Sequence, residues 1–361
     1  MIKKALIKNI AEELEIDICR ITDGSDLKKY REILKERKRS GLWPQPFTES
    51  NIDRLSKPSL HFKGLKSIIV IAINYNNSDK TNKYLSTYLS QKDYHIYLRE
   101  VMEKMVAKIK AEINQDFKAK IFVDAAPFLE KALAERAGVG FIAKNSLLIN
   151  PDFGSYIFLG EIFTDLEIEK DEALDLDCGE CTLCLEHCEG DALTAPYQLE
   201  ADKCIAYLTQ KKGIIPPAER KKMGAHIWGC DSCQLICPYN KAKPINTKEE
   251  LQYFDKDIEY FLKLRRKDPP EELKTTAIYW RGSRILIRNA LIAAANLEKK
   301  EYFDLIKAKL ADNSSLIRYY AAWSLSEIDY DKALGILKKH LAKETNEKVR
   351  AEIKRIILKH D

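Results

Sequence analysis

Eight of the nine cysteines lie between residues 178 and 237, and their spacing points to metal chemistry. The run CGECTLCLEHC (178–188) sets Cys178, Cys181, Cys184 and Cys188 at C-x2-C-x2-C-x3-C. In a reducing compartment, clustered thiols bind metal rather than pair as disulfides. In two-cluster ferredoxins, three closely spaced cysteines hold one [4Fe–4S] cluster and the outlying fourth crosses to the other. The second run, CDSCQLICP, supplies Cys230, Cys233 and Cys237 but lacks a middle thiolate, which Cys204 can provide. The set then closes as Cys178, Cys181, Cys184 and Cys237 on one cluster, with Cys188, Cys204, Cys230 and Cys233 on the other. Two all-cysteine zinc sites are the alternative. Zinc favours paired C-x2-C knuckles, whereas the tight x2, x2, x3 run suits a cubane. One departure is Glu189 after Cys188, where the ferredoxin run usually has proline.

Clusters of this kind move single electrons and transform no substrate unaided, so another part of the chain must hold the acceptor. The first 170 residues form an expected α/β domain. Helical periodicity covers 8–20, including Cys19 as an ordinary buried thiol, and 96–113. SIIVIAINY (67–75), KIFVD (120–124) and YIFLGEIFTDLEI (156–168) are expected strands. A helix opened by Pro127 and closed by Gly138 lies between the last two. No G-x-G-x-x-G and no G-x-x-x-x-G-K-[ST] occurs, which leaves out the usual dinucleotide and P-loop fingerprints.

Residues 171–250 form the expected ferredoxin-like domain, and 251–361 a linker followed by helices. Ile287-Arg288, Ile317-Arg318 and Val349-Arg350 open similar stretches at offsets of 30 and 32 residues, a HEAT-like period. From Lys274 onward, 18 Lys and Arg face 11 Asp and Glu. A basic repeat on a near-neutral body suggests a polyanionic partner, nucleic acid before membrane. The N-terminal segment is interrupted by Glu12, Glu13 and Glu15 and has no signal-peptide core. SIIVIAI is too short to cross a bilayer. The expected location is cytoplasmic.

Several blocks carry a family resemblance. VDAAPFLEKALAERAGVGFIAKNSLLINPDFGSYIFLGEIFTDLEI (123–168), DYH (93–95), APYQLEADKCIAYLTQKKG (195–213) and GCDSCQLICPYN (229–240) resemble epoxyqueuosine reductases. The likeness runs from about Lys66 to Asn240 and again through RILIRNALIAAANL (284–297). It implies a cobalamin-dependent enzyme akin to reductive dehalogenases, with the corrinoid in the N-terminal domain and two [4Fe–4S] clusters beside it. The implied reaction reduces epoxyqueuosine to queuosine at the wobble position of tRNAs with GUN anticodons. Also implied are an external low-potential donor of flavodoxin or ferredoxin type and a monomeric enzyme.

The resemblance makes Asp124 the proton donor. Opening an epoxide develops charge on oxygen, and expelling that oxygen as water needs protons. A carboxyl half-buried over a corrin face is expected to have a raised pKa. Tyr94 and His95 are expected at the substrate. Lys131 stands where the family commonly has Arg, keeping the charge without the planar fork. Arg54, Asp124, Lys144, Asn145, Leu148, Ser155, Tyr156, Asp231 and Ser232 are the expected corrinoid contacts, and Trp228 is either core or a further one. Arg288, Arg318 and Arg350, at the repeat starts, are the expected tRNA contacts. Two other readings stay open on the residues alone: a corrinoid reductase of a small molecule, and an electron carrier without its own substrate.

Overall fold

The computed structural model describes residues 2–43, 49–124 and 126–358. The chain divides into two compact units, neither continuous in sequence. Unit 1 comprises Met1–Asp79, Lys92–Ala201 and Ser232–Gln252; unit 2 comprises Lys80–Gln91, Asp202–Asp231 and Tyr253–Asp361. The cysteine-rich segment is therefore shared between the two rather than forming a body of its own.

Unit 1 is built on a four-stranded antiparallel sheet. Its strands are β1 (Ile18–Asp23), β2 (Ser67–Asn74), β3 (Ala119–Phe122) and β6 (Ile157–Thr164), in the order β1-β2-β6-β3. A short hairpin, β4 (Phe141–Ile142) with β5 (Leu148–Ile149), stands apart from it. Every residue of β2 is buried, as its unbroken apolar run requires of a central strand covered on both faces. Helix α1 (Lys4–Glu13) stops earlier than the periodicity suggests, and Glu15 takes a left-handed φ of 53°. The chain then enters β1, so Cys19 lies on a strand rather than a helix. Its thiol is buried and pushed up to about 12, chiefly by that burial.

Helix α2 (Tyr94–Ile113) lies on one face of the sheet, burying Leu98, Met102, Met105 and Ile109. Gly160 on β6 permits this approach, since a Cβ there would sit 2.7 Å from the Met102 methyl. Helix α3 (Glu130–Arg136) covers the other face through Ala132, Leu133 and Ala134. It begins three residues after Pro127, because residues 126–129 first bend to seat Phe128 against Phe122 and Phe163. Gly138, at φ 79°, ends it as expected.

The C-terminal part of unit 2 stacks α4 (Ser283–Asn296), α5 (Ser315–Ile328), α6 (Tyr330–Leu341) and α7 (Glu347–Leu358) around one apolar core. Trp228 is fully buried in that core and donates from Nε1 to the Tyr88 hydroxyl, which settles it as a packing residue. The repeated arginines share a structural role. Arg288 donates to the carbonyls of Leu208, Thr209, Lys211 and Gly213. Arg350 donates to those of Leu341 and Glu344 at 2.9 and 2.7 Å. Arg318 meets both carboxylate oxygens of Glu344 at 2.7 and 2.8 Å.

Arg318 and the other hydrogen bonds hold Glu344 down at about 2 against the effect of burial. A carboxyl depressed in the folded state stabilises it above the unfolded value, and that contribution is lost as pH falls through the folded value. Glu344→Gln should therefore destabilise the protein at pH 7 and progressively less as pH falls toward 2. Urea midpoints of the two proteins across that range test this, and a gap independent of pH would contradict it.

Candidate active site

The Cα of Asp124 lies two residues past the end of β3, with φ at 52°, a region that aspartate tolerates better than most residues. Its side chain is 59% exposed. Two groups from the first turn of α2 meet it there. Tyr94 donates from its hydroxyl to Asp124 Oδ2 at 2.5 Å, and His95 Nε2 lies 3.4 Å from the same oxygen. Asp93 sets this turn by capping it: its Oδ1 accepts from the His95 backbone at 2.9 Å and contacts the ring Nδ1 at 2.7 Å. Tyr94 lies flat between His95 and Phe158, with centroid separations of 4.1 and 4.3 Å. Both hydrogen-bonding side chains are thus fixed before any ligand arrives.

The electrostatics correct one expectation. Asp124 is lowered from the usual carboxylate range, first by its hydrogen bond with His95, against burial and with help from Tyr94. Burial disfavours the imidazolium of His95, but hydrogen bonds to Asp124 and Asp93 win and raise it to about 9. Near neutrality the pair is carboxylate and imidazolium, so the proton expected on Asp124 resides on its partner. Lys131 Nζ donates to the Ser146 carbonyl at 2.6 Å. Two acids behind Asp124 escaped sequence reasoning. Glu130 opens α3 and Glu161 lies mid-strand on β6; burial, followed by the neighbouring carboxylates, raises both. A glutamate interrupting the apolar YIFLGEIFT was the available signal.

Cys178, Cys181, Cys184 and Cys237 line one cavity of about 250 Å³, together with Ala143, Asn145, Ile149, Pro238 and Tyr239. Four thiols in a mostly apolar setting can supply the donor set of a [4Fe–4S] cubane, and the sequence spacing points to the same four. Burial and then the neighbouring thiols raise Cys184. The loop carrying Cys237 is anchored from residues 154–155. Asn240 Oδ1 accepts from the Ser155 backbone at 2.7 Å, and the Ser155 hydroxyl meets Gln234 at 2.8 Å. Gly154 lets the turn carrying Asn240 pack close, since a Cβ there would lie 2.1 Å from Asn240 Oδ1. Of the other four cysteines, Cys188 and Cys233 belong to unit 1, and Cys204 and Cys230 to unit 2.

Known proteins match at every level. A 4Fe-4S double cluster binding domain model matches residues 177–240, the model described as epoxyqueuosine reductase QueG, DUF1730 matches 56–125, and HEAT repeats match 258–356. The epoxyqueuosine reductase of Bacillus anthracis is 34% identical over 86% of this chain and 85% of its own. That of Bacillus subtilis is 33% identical over 98% and 95%. The chain belongs to the epoxyqueuosine reductase family. A crystal structure of a family member with an epoxyqueuosine-modified tRNA stem loop superposes with a TM-score of 0.92, at 30% identity and 98% coverage of both chains. The double-cluster match favours iron–sulfur over zinc for the cysteines.

Within this family architecture, the remaining expected residues fall into two groups. Lys144 and Asn145 lie on the β4–β5 turn, where Lys144 Nζ donates to the Gly179 carbonyl at 2.6 Å and Asn145 lines the thiol cavity. Ser232 is surface-accessible and donates to Glu189 at 2.7 Å; Arg54 is exposed and pairs with Glu49 at 3.2 Å. Leu148, Ser155 and Tyr156 are buried within unit 1, as is Asn145. Asp231 is buried in unit 2, accepting from Ser86 Oγ at 2.5 Å and Thr87 N at 2.6 Å, and is structural there. Arg288, Arg318 and Arg350 are likewise committed to carbonyls and Glu344, which removes them as free phosphate ligands.

Proposed function

We propose that this chain reduces epoxyqueuosine to queuosine at the wobble position of tRNA with a GUN anticodon, using cobalamin and two [4Fe–4S] clusters. The observation that carries this reading is the turn between β4 and β5. Through Ser146 it accepts from Lys131, beside Asp124, and through Asn145 it lines the thiol cavity. One turn thus ties a site built to move protons to a site built to move electrons. Asp124, Tyr94 and His95 hold protons but exchange no electrons, so their donor set suits a bound redox group. Lys144, Asn145, Arg54 and Ser232 are the polar residues placed to hold it. When bound, cobalamin supplies the electron pair that breaks the carbon–oxygen bond.

The protein's own contribution is protonation. Asp124 stands at the exposed edge and meets the epoxide oxygen. His95 holds the proton that Asp124 passes on to that oxygen, and Tyr94 fixes the carboxylate. With His95 near 9, the rate of the chemical step should be level through neutrality and fall as pH rises through about 9. His95→Gln should remove that limb in single-turnover profiles; an unchanged limb would detach it from His95. The same raised value implies stability that is full below the unfolded pKa near 6.5 and lost as pH rises through about 9.

The second cluster is assigned to Cys188, Cys204, Cys230 and Cys233, supported by ligand spacing and the double-cluster match. The enzyme acts as a monomer in the cytoplasm and takes electrons from an external low-potential flavodoxin or ferredoxin. Among the described residues no helix is long and apolar enough to cross a membrane. Exposed lysines of unit 2, including Lys338, Lys339, Lys343 and Lys348, replace the internally engaged Arg288, Arg318 and Arg350 as partners for the stem-loop phosphates. Lys338→Glu with Lys339→Glu should weaken stem-loop binding and lower its salt slope by about 1 for each phosphate no longer neutralised. Binding isotherms at several salt concentrations test this, with single-turnover reduction at saturating substrate unchanged. An unaltered slope would place the RNA-binding surface elsewhere.

A further inference from the structure

The start of α4 has the makings of an anion site. Ala277–Arg281 form a 3-10 turn seated by the buried Ile278, and Gly282 then leads into the helix at φ 73°. A Cβ at Gly282 would meet nothing within 4 Å, so the backbone there is bare. No side chain caps the first turn of α4, and no acid lies in it. The leading amides of a helix lack intrahelical acceptors, and in this 14-residue helix the dipole adds to their pull on an anion. Ser283 is the first residue of α4, is only 3% exposed, and has no hydrogen-bond partner at Oγ. Helical side chains tilt toward the N-terminus, which carries this hydroxyl toward the same end. A buried hydroxyl left unsatisfied is costly, and an anionic oxygen docked here would accept from it.

The residues around this end say which anion it suits. Trp280 is 59% exposed, whereas Trp228 and Trp323 are buried. The Arg281 guanidinium lies 3.7 Å from the centre of the Trp280 ring, a cation–π contact that holds the indole in place. An exposed indole beside a phosphate-sized site matches a nucleotide, whose base stacks while its phosphate is held. Arg284 is exposed and lies one turn ahead of Arg288 on the same face of α4. Arg288 holds the carbonyls of Lys211 and Gly213, which keeps the exposed Lys212 near that face. Glu271 and Glu272, which precede the turn, are engaged by Lys274 and the Tyr260 hydroxyl. All these residues belong to unit 2.

We propose that Trp280 and the N-terminus of α4 form a seat for one unpaired nucleotide of the anticodon loop. The base stacks on the indole, and the phosphate rests on the α4 amides, Ser283 and Arg284. This rests on the reading of the stem-loop as substrate and adds where the loop, rather than the stem, is gripped. A paired stem offers phosphates but keeps its base faces stacked within the helix, so the indole selects the loop. The seat takes no part in the reaction itself.

The test is binding of an unmodified anticodon stem-loop to the cluster-loaded protein without cobalamin, so no turnover is needed. Trp280→Ala should weaken binding about 10-fold or more, the scale of one lost base stack, and leave its salt slope unchanged. Arg284→Glu should instead lower that slope by about 1. The stem-loop should quench the tryptophan emission of the wild-type protein, and Trp280→Phe should lose that quench while keeping most of the affinity. A fully paired RNA duplex of the same length should bind Trp280→Ala as it binds wild type. If Trp280→Ala fails to retain its iron and fold, the quench in Trp280→Phe and the slope in Arg284→Glu decide in its place. The proposal is overturned if folded Trp280→Ala binds the stem-loop as wild type does, or if duplex binding falls by the same factor. Wild-type protein that binds no stem-loop removes the substrate reading itself, whereas normal binding by wild type and variants alike removes only the seat.

Discussion

Asp124→Asn is expected to lower single-turnover reduction by about 10²-fold or more, the usual scale for loss of a general acid. The amide keeps the shape and can still accept from Tyr94, so stem-loop affinity and iron content should remain near wild type. Loss of the carboxylate also removes a hydrogen bond that holds His95 in its charged form. The His95 pKa should therefore fall from about 9 in the variant, because burial then has less opposition. Proton-detected titration of the imidazole would register this shift without any cofactor. Near-normal turnover with an unchanged His95 would return Asp124 to a merely conformational role at its left-handed position.

Replacing cluster thiols should have a still larger effect, since electrons then have no path to the acceptor. Anaerobically prepared wild-type protein should contain about eight irons per chain, as two [4Fe–4S] clusters require. Cys237→Ser should lose the cluster held in the thiol cavity, retain about four irons and show no measurable turnover with a physiological-type donor. Cys204→Ser should likewise retain about four irons, but with a different paramagnetic signal, because the other cluster is lost. Stoichiometric zinc in place of iron would remove the redox reading. Loss of all iron from Cys204→Ser would contradict its assignment to one cluster alone.

Parts of this site were legible before any coordinates because their chemistry is local. Ligand spacing in a short segment constrains a cluster, and the crossover of Cys237 to Cys178, Cys181 and Cys184 reappears as the lining of one cavity. Tyr94 and His95 of the DYH triplet were expected at the substrate through the family resemblance, and the structure sets both on the first helical turn behind the capping Asp93. Other features depend on packing between remote segments. Composition counted Arg288, Arg318 and Arg350 as surface charge, yet each guanidinium turns inward to carbonyls or Glu344 that the fold supplies. The proton balance at Asp124 depends on His95, 29 positions away in sequence, which reversed the direction expected from burial alone. Glu161 was hidden differently, as one acid inside an apolar strand, conspicuous only once both its oxygens lacked partners.

The most direct measurement is anaerobic conversion of an epoxyqueuosine-containing anticodon stem-loop by the purified, cluster-loaded protein with a strong reductant, analysed by mass spectrometry of the digested nucleosides. With cobalamin added, queuosine should form stoichiometrically under single-turnover conditions, and omission of cobalamin should abolish the product. Queuosine formed equally well without cobalamin would contradict the proposed cofactor. No product from protein carrying both clusters and bound cobalamin would contradict the proposed reaction.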